Sequence, residues 1–269
     1  MNEYIGKGGC ALIITEGGTE RSSKGIYRSG RFPRKDDFSE TNDPCEPESG
    51  IPPRFSACSI LYSAGIPASI WFEDALAYHD VPTLVFELFL LVPDVDAAAR
   101  VLMSAGYQRG ELSLALSPIR QFDNLYTPVR TESQHPTTDA ESTSQSPEID
   151  ETRVILLPAK KWFHDLPATP EDMADWFPTL PQLLTALIAK WLSLEEGDRD
   201  LRLRIAVFLG YIYEYLDSVK VRGFEQQLPQ QFWAFHSDQV QGINAADLGT
   251  FRCQEHYLRH IDEHHPVVV

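Results

Sequence analysis

The sequence predicts an α+β (α/β) protein, in which a mixed sheet with helices is followed by a C-terminal helical bundle part. Residues 84–92 form an almost wholly apolar run of strand length, which is typical of a strand buried on both faces. Short strand-like and helix-like segments surround this run. From residue 161 onwards, apolar residues recur at helical spacing instead.

Glycine and aspartate mark the predicted element ends in the first part. Gly65 and Gly106 each follow a helix-like segment, and glycine favours the left-handed conformation that ends a helix. Asp94 precedes another such segment and is expected to cap it. The predicted elements are helix 53–64, strand 66–72, short helix 73–79, strand 84–92, a helix after Asp94, and strand 153–157, which returns to the same sheet.

Composition divides the chain into three parts. Residues 1–50 are expected to be largely irregular, 51–160 to form the α/β part, and 161–269 to form the helical part. Within the α/β part, residues 127–152 contain ten Ser/Thr, six acids and three prolines. Such a stretch cannot bury enough apolar surface to order itself, so it is predicted to be a mobile, dispensable insertion.

The helical part carries clear start signals. Thr169-Pro170 and Thr179-Leu180-Pro181-Gln182 are both typical of helix N-termini, and the second has capping-box spacing. Apolar residues then continue on one face through residue 192. The segment 198–219 is apolar on more than one side, which predicts the central helix of the bundle.

Charge and hydropathy exclude several functions. The formal charge is −16, from 39 acids against 23 bases. Binding to nucleic acid or anionic membranes is disfavoured, because such binding depends on basic residues near phosphate. No apolar run is long enough to span a bilayer, no signal peptide is visible, and the four cysteines lack C-x-x-C spacing. A cytoplasmic protein is expected.

Residues 65–106 resemble the core of the nucleotidyltransferase superfamily. The matching pattern is a strand, a turn into the short helix Glu73-Asp74-Ala75-Leu76, a strand ending Leu90-Leu91-Val92, and a further helix. The resemblance implies a mixed sheet in which a Gly-Gly/Ser turn binds phosphate and an Asp-x-Asp strand binds metal ions. The amino-acid sequence is also similar to those of uncharacterised fungal proteins of this kind.

The expected active-site residues are incomplete in this sequence. Two carboxylates two residues apart are needed to bind the metal ions, yet Glu87 is followed by Phe89 in the second place. Phe72-Glu73-Asp74 replaces the phosphate-binding turn, and Thr83 stands near the place of an expected basic residue. Nucleotidyl transfer and tight binding of ATP with Mg²⁺ are therefore not expected.

The acids in this segment also have structural interpretations. Glu87 could lie at the exposed end of the sheet or pair with an arginine such as Arg120, and Glu73 and Asp74 could cap the short helix. In the C-terminal helix, His256, His260 and His264 follow i, i+4, i+8 spacing, which a shared metal ion would require. The charged residues between them favour a solvated helix, and no metal or other cofactor is expected.

The candidate site is a pocket at the joint of the α/β part and the helical part. Tyr211, Tyr213 and Tyr215 point to different sides of one helix, so at least one must leave the core. An aromatic cleft is a common site for an apolar ligand. The candidate catalytic residues are Glu87, His236 and His79, and the candidate substrate-binding residues are Trp233, Phe235, Tyr211, Tyr215 and Asp74.

The sequence leaves two main functions open. In the first, the resemblance to fungal proteins implies a metal-independent cyclase of secondary metabolism, of Diels–Alderase type, acting on a small apolar organic substrate. Such reactions need a shaped pocket and one or two hydrogen-bond donors. In the second, the protein is a non-catalytic pseudoenzyme that binds another protein. An unorthodox nucleotidyltransferase using Glu87 is a third possibility. A closed aromatic pocket favours the first, and an exposed apolar patch the second.

Overall fold

The computed structural model describes residues 51–110, 125–128, 152–167 and 172–264, with backbone alone at 125–128 and 262–264. The predicted irregular segment 1–50, the helix start at Thr169-Pro170 and most of the predicted insertion 127–152 lie outside the described residues. Thr127 and Pro128 belong to a strand, so the insertion as predicted begins two residues too early.

The described chain is a mixed α/β structure with more helix than strand. The helices are α1 Ser56–Ser63, α2 Glu73–Tyr78, α3 Val95–Ser104, α4 Leu180–Leu192, α5 Arg199–Tyr215, α6 Trp233–Val240 and α7 Phe251–His264. The strands are β1 Ser69–Trp71, β2 Leu88–Val92, β3 Tyr107–Arg109, β4 Leu125–Pro128 and β5 Val154–Pro158. Short 3₁₀ turns include Pro53–Phe55, Ala159–Trp162, Met173–Trp176 and Asp217–Lys220.

The sheet has the order β1-β2-β5-β4-β3. The β2 and β5 strands are parallel, with Leu88 opposite Val154, while the other neighbouring pairs are antiparallel. All five residues of β2 are buried, and β5 lies directly beside it. Both the buried internal strand and the return of the chain to the same sheet are therefore confirmed.

The predicted strand 84–92 is too long at its start. The first strand residue is Leu88, and the side chains of Leu84 and Phe86 are 74% and 63% exposed. An apolar run predicts burial only where other elements cover it, and here the run extends beyond the end of the sheet. The predicted strand 66–72 is likewise reduced to Ser69–Trp71.

The predicted helix ends are confirmed in atomic detail. Gly65 has φ +75°, and the Ile66 N–H donates to the Leu61 carbonyl at 2.9 Å, as in a Schellman motif. Gly106, with φ +96°, ends α3 in the same left-handed region. Asp94 accepts a 3.0 Å hydrogen bond from the Ala97 N–H at the start of α3.

The capping box before α4 is also confirmed, because Thr179 and Gln182 exchange hydrogen bonds. At the other end of α4, the side-chain amide of Gln254 from α7 donates to the carbonyls of Trp191, Leu192 and Leu194, at 2.9, 2.9 and 2.6 Å. Gln254 is completely buried. This side chain therefore satisfies carbonyls that the end of a helix leaves without an intrahelical partner.

A single hydrophobic core connects the sheet to the helices. It contains Phe89 and Ile155 from the sheet, Trp191 from α4, and Phe208 and Ile212 from α5. The predicted central helix is thus confirmed, although it ends at Tyr215 instead of 219. Within the described ranges, no helix is long and apolar enough to cross a membrane.

Candidate functional site

Asp74, a candidate substrate-binding residue, is buried in an ion pair. Its carboxylate is 0% exposed and accepts hydrogen bonds from Arg54 Nε at 2.7 Å and Arg54 Nη2 at 2.8 Å. The same guanidinium donates to the carbonyls of Phe86 and Glu87 at 3.1 and 3.2 Å. Arg54 therefore joins α2 to the chain that enters β2, and a ligand could reach Asp74 only by breaking this pair.

Glu87 faces a cation across the two parallel strands. Arg153 Nη2 lies 2.5 Å from the Glu87 carboxylate, because Glu87 and Arg153 each precede the first residue of their strands and Leu88 pairs with Val154. The prediction that Glu87 pairs with an arginine is confirmed, but the partner is Arg153. Arg120 lies outside the described residues.

Glu73 is the third acid of this region that is paired with arginine. Arg204 Nη2 of α5 lies 2.5 Å from one Glu73 oxygen, while the other oxygen is buried without a hydrogen-bond partner in the described part of the chain. Burial raises the pKa of Glu73, and the nearby Arg204 opposes that rise. Neither acid is the N-cap of α2, which is Phe72; both lie in the first turn of α2 and pair with arginines from other elements.

Phe72 adopts a backbone conformation that suits glycine. Its φ is +55° and its ψ is −124°, a region that costs a residue with a Cβ about 1–3 kcal/mol. The buried ring packs edge-on against Phe89 and Trp162, each with ring centroids 4.9 Å away, and lies 5.2 Å from Phe208. These contacts hold the backbone in the strained conformation.

Aromatic packing thus occupies two positions that matter in the nucleotidyltransferase resemblance. In that sequence comparison, Phe72 falls at the place of the glycine turn and Phe89 at the place of the second carboxylate. The Arg204 guanidinium lies over both rings, at 5.4 and 5.3 Å from their centroids. Phe72 and Phe89 are both buried, so neither position offers a charged or open surface to a nucleotide.

The predicted aromatic site is divided between core and surface. Phe235 is buried against Trp191 and Tyr257. His236 is also buried, and its Nδ1 shares a 2.9 Å hydrogen bond with the Tyr213 hydroxyl. Trp233 is partly exposed and donates its ring N–H to the Leu228 carbonyl at 3.0 Å. Replacement of His236 is therefore expected to disturb folding as well as any catalysis.

The remaining two aromatic candidates, Tyr211 and Tyr215, lie on an exposed apolar face of α5. Leu203, Val207, Tyr211 and Tyr215 follow one another at intervals of four residues and are 53%, 39%, 39% and 52% exposed. They are called the α5 face below. The rings of Tyr211 and Tyr215 are 5.9 Å apart, whereas Tyr213 is buried. The prediction that at least one of the three tyrosines leaves the core is confirmed.

His79 lies in a different place, beside an open groove of about 700 Å³. Tyr78, Phe177 and Pro178 also line this groove. The rings of Tyr78 and Phe177 stack in parallel at 4.2 Å, and His79 Nε2–H donates to the Pro178 carbonyl at 2.8 Å. The groove lies where the end of α2 meets the residues before α4, and His79 is the one predicted site residue among those that line it.

Two of the three histidines that the sequence singled out in α7 lie close together. The rings of His256 and His260 are 4.7 Å apart, so the predicted i, i+4 proximity exists. In the residues that the structure describes, no group of three or more His, Cys, Asp or Glu side chains is placed to hold a metal ion. The side chain of His264 lies outside them.

Two buried histidines and the half-buried His79 predict a loss of stability at mildly acidic pH. Burial lowers the pKa of His79, His164 and His236 below the ordinary 6.5. Their contribution to stability is present above pH 6.5 and is lost as the pH falls through the folded-state pKa values, because protonation then favours the unfolded chain. Glu73 acts oppositely, since its raised pKa means that its contribution is lost as the pH rises from about 4.5.

The free energy of unfolding is therefore expected to fall between pH 7.5 and 5.5, by up to about 1.4 kcal/mol per pH unit for each histidine that titrates. Urea denaturation at several pH values measures this slope. His164→Asn should reduce the slope, because it removes one of these histidines. A stability that is constant over this pH range would contradict the expectation.

Comparison with known proteins gives no relative for this chain: no protein-family model, no curated protein and no solved structure matches it. The nucleotidyltransferase resemblance therefore rests on the pattern of residues 65–106. The arginines that pair with the acids were not predicted. For Arg153 alone the sequence offered an indication, because it is the first residue of the predicted strand 153–157.

Proposed function

We propose that this chain is a non-catalytic interaction protein that binds a protein partner through the α5 face. The observation that carries the proposal is the row of four exposed apolar side chains on one helix. Contiguous exposed apolar surface on a folded protein commonly marks an interaction site. The four positions are free to serve binding, because the core of α5 is built from other residues, such as Ile205, Leu209 and Ile212.

The nucleotidyltransferase-like region supports a non-catalytic role. Glu73, Asp74 and Glu87 are each paired with an arginine, and the Phe72 and Phe89 rings fill the neighbouring positions. A two-metal mechanism needs carboxylates that are available to the metal ions. Binding of Mg²⁺ here would require these ion pairs to break.

The double variant Val207→Ser/Tyr211→Ser tests the proposal. Because both side chains are exposed, the free energy of unfolding should change by no more than about 1 kcal/mol. The partner is first recovered with the tagged protein, and the complex is then reconstituted from purified components. The partner should bind the variant at least about tenfold more weakly than the wild type. Leu84→Ser/Phe86→Ser is the control, since it removes an even more exposed apolar pair from another surface. A complex that tolerates the α5 variant and is lost in the control would refute the proposal.

A small-molecule-binding protein is the second candidate, and the groove beside His79 favours it. The stacked rings of Tyr78 and Phe177 provide apolar walls, and His79 and Gln182 provide polar groups. In the cyclase version of this proposal, a fungal biosynthetic substrate would bind there. His79→Gln keeps a donor for the Pro178 carbonyl and should slow cyclisation by up to about a hundredfold. An unchanged rate would exclude His79 from the reaction.

A further inference from the structure

We propose that the partner of the α5 face is a cationic amphipathic helix, an inference that rests on the interaction function proposed above. The face itself defines the shape of its partner. From Leu203 to Tyr215 it extends about 18 Å along the helix axis, at 1.5 Å per residue. A narrow apolar row of this length matches one face of a helix of about twelve residues or more.

A helix suits this surface better than an extended strand does. The backbone hydrogen-bonding groups of α5 are used within the helix itself, so the face presents side chains and no free backbone edge. A strand laid on it would leave its own N–H and C=O groups unpaired as water is excluded. A helix satisfies these groups internally, and a ridge of side chains spaced four apart packs into the grooves of another helix.

The charges around the α5 face favour a cationic partner. Asp200 and Glu214 are exposed and fall within the same arc of α5 as the apolar residues, at 100° per residue. They stand about 21 Å apart, one near each end of the row. Cations also lie nearby: Arg204 pairs with Glu73, and Arg199 lies at the margin of this arc. Lys220 Nζ donates to the Glu214 carbonyl and to the Asp217 carboxylate, so its hydrogen bonds go to groups other than the Glu214 carboxylate. Basic side chains at both ends of an apolar helix would therefore meet carboxylates.

Two further features also favour a cationic partner. The edge-to-face pair of Tyr211 and Tyr215 offers ring faces beside Glu214, and lysine or arginine side chains bind favourably over such rings. The net charge of −16 also attracts a basic segment at long range and repels an acidic one. The apolar row would supply affinity, and the flanking acids would favour a partner that carries positive charge.

A pair of labelled synthetic peptides tests this partner chemistry. Each has about 18 residues and a helical repeat of leucines, with lysine at the polar positions in one peptide and glutamate in the other. Fluorescence anisotropy is measured with the wild-type protein, Val207→Ser/Tyr211→Ser and Asp200→Asn/Glu214→Gln. Asp96→Asn/Asp165→Asn removes two exposed acids elsewhere and so controls for net charge.

The lysine peptide is expected to bind the wild type and the control equally. The α5 apolar variant and the Asp200/Glu214 variant should each weaken binding about tenfold, and the glutamate peptide should not bind. Binding of the glutamate peptide at the same face would overturn the cationic partner but leave the interaction function standing. If the lysine peptide binds and no α5 substitution weakens its binding, the cationic helix is overturned as the partner. The reconstituted complex described above would still test whether the α5 face binds a protein.

A second copy of this chain is the competing occupant. Sedimentation velocity over a range of concentrations reveals it, since a dimer formed through this face would be present in the wild type and absent in Val207→Ser/Tyr211→Ser. That result would overturn the cationic helix as the occupant. We expect the wild type and the variant to sediment identically as monomers.

Discussion

Replacing Arg54 with methionine is expected to lower the free energy of unfolding by about 3–5 kcal/mol, because it removes one partner of a buried ion pair. Asp74 is completely buried and receives two hydrogen bonds from Arg54. The substitution also removes donors to the carbonyls of Phe86 and Glu87. The carboxylate would stay in the core without this guanidinium, and the chain before β2 would lose its connection to α2.

Urea denaturation provides the measurement, with the exposed Arg100→Met of α3 as the control for loss of a surface charge. The double variant Arg54→Met/Asp74→Leu should recover part of the lost stability, because it removes the buried charge together with its partner. An Arg54→Met protein within about 1 kcal/mol of the control would show that the pair contributes little.

Replacing Gln254 with alanine is expected to cost about 2–4 kcal/mol. The carbonyls of Leu192 and of Leu194, which follows α4, would lose a donor, and the Trp191 carbonyl would keep only backbone N–H groups such as that of Leu194. A buried acceptor without a partner costs about 1–3 kcal/mol. The removed amide would also leave a cavity between α4 and α7. Since Gln254 comes from α7, the substitution should loosen the contact between the two helices as well as the end of α4.

Amide hydrogen exchange separates this effect from general destabilisation. Protection should fall most at the end of α4 and in α7, with a smaller change in β2 and β5. Arg259→Ala, an exposed substitution on the same helix, should leave both stability and protection nearly unchanged. Equal behaviour of the two variants would mean that the Gln254 hydrogen bonds do not stabilise the fold.

Local signals predicted the fold elements well because their causes are local. The glycine after α1, the Asp94 cap and the Thr179–Gln182 capping box each depend on residues a few positions apart. The apolar composition of β2 likewise predicted burial on both faces. Its start was misplaced because the exposure of Leu84 and Phe86 depends on where neighbouring elements end.

The candidate site was harder to predict because its contacts join distant parts of the chain. Arg54 and Asp74 are 20 residues apart, Glu87 and Arg153 are 66 apart, and Glu73 and Arg204 are 131 apart. Only the strand register could have placed Arg153 opposite Glu87. The periodicity of α5 indicated that some tyrosines leave the core, but it did not distinguish a closed pocket from an open face.

The strained backbone conformation at Phe72 could not be predicted from the residue type. Phenylalanine gives no local reason to adopt φ +55°, and the conformation is stabilised by the Phe89, Trp162 and Phe208 rings that surround the side chain. The resemblance to a glycine turn was the one indication that the backbone bends sharply at this position.

Calorimetric titration of the wild-type protein with ATP and Mg²⁺ tests the central claim, which is that the protein's own side chains occupy the place where the proposed resemblance of residues 65–106 would put a nucleotide. The expected result is no heat beyond dilution, because Glu73, Asp74 and Glu87 are held by arginines and Phe72 and Phe89 fill the neighbouring space. A repeat with EDTA in place of Mg²⁺ serves as the control. Binding in the micromolar range that disappears when Mg²⁺ is removed would contradict the claim and favour a nucleotide-binding enzyme.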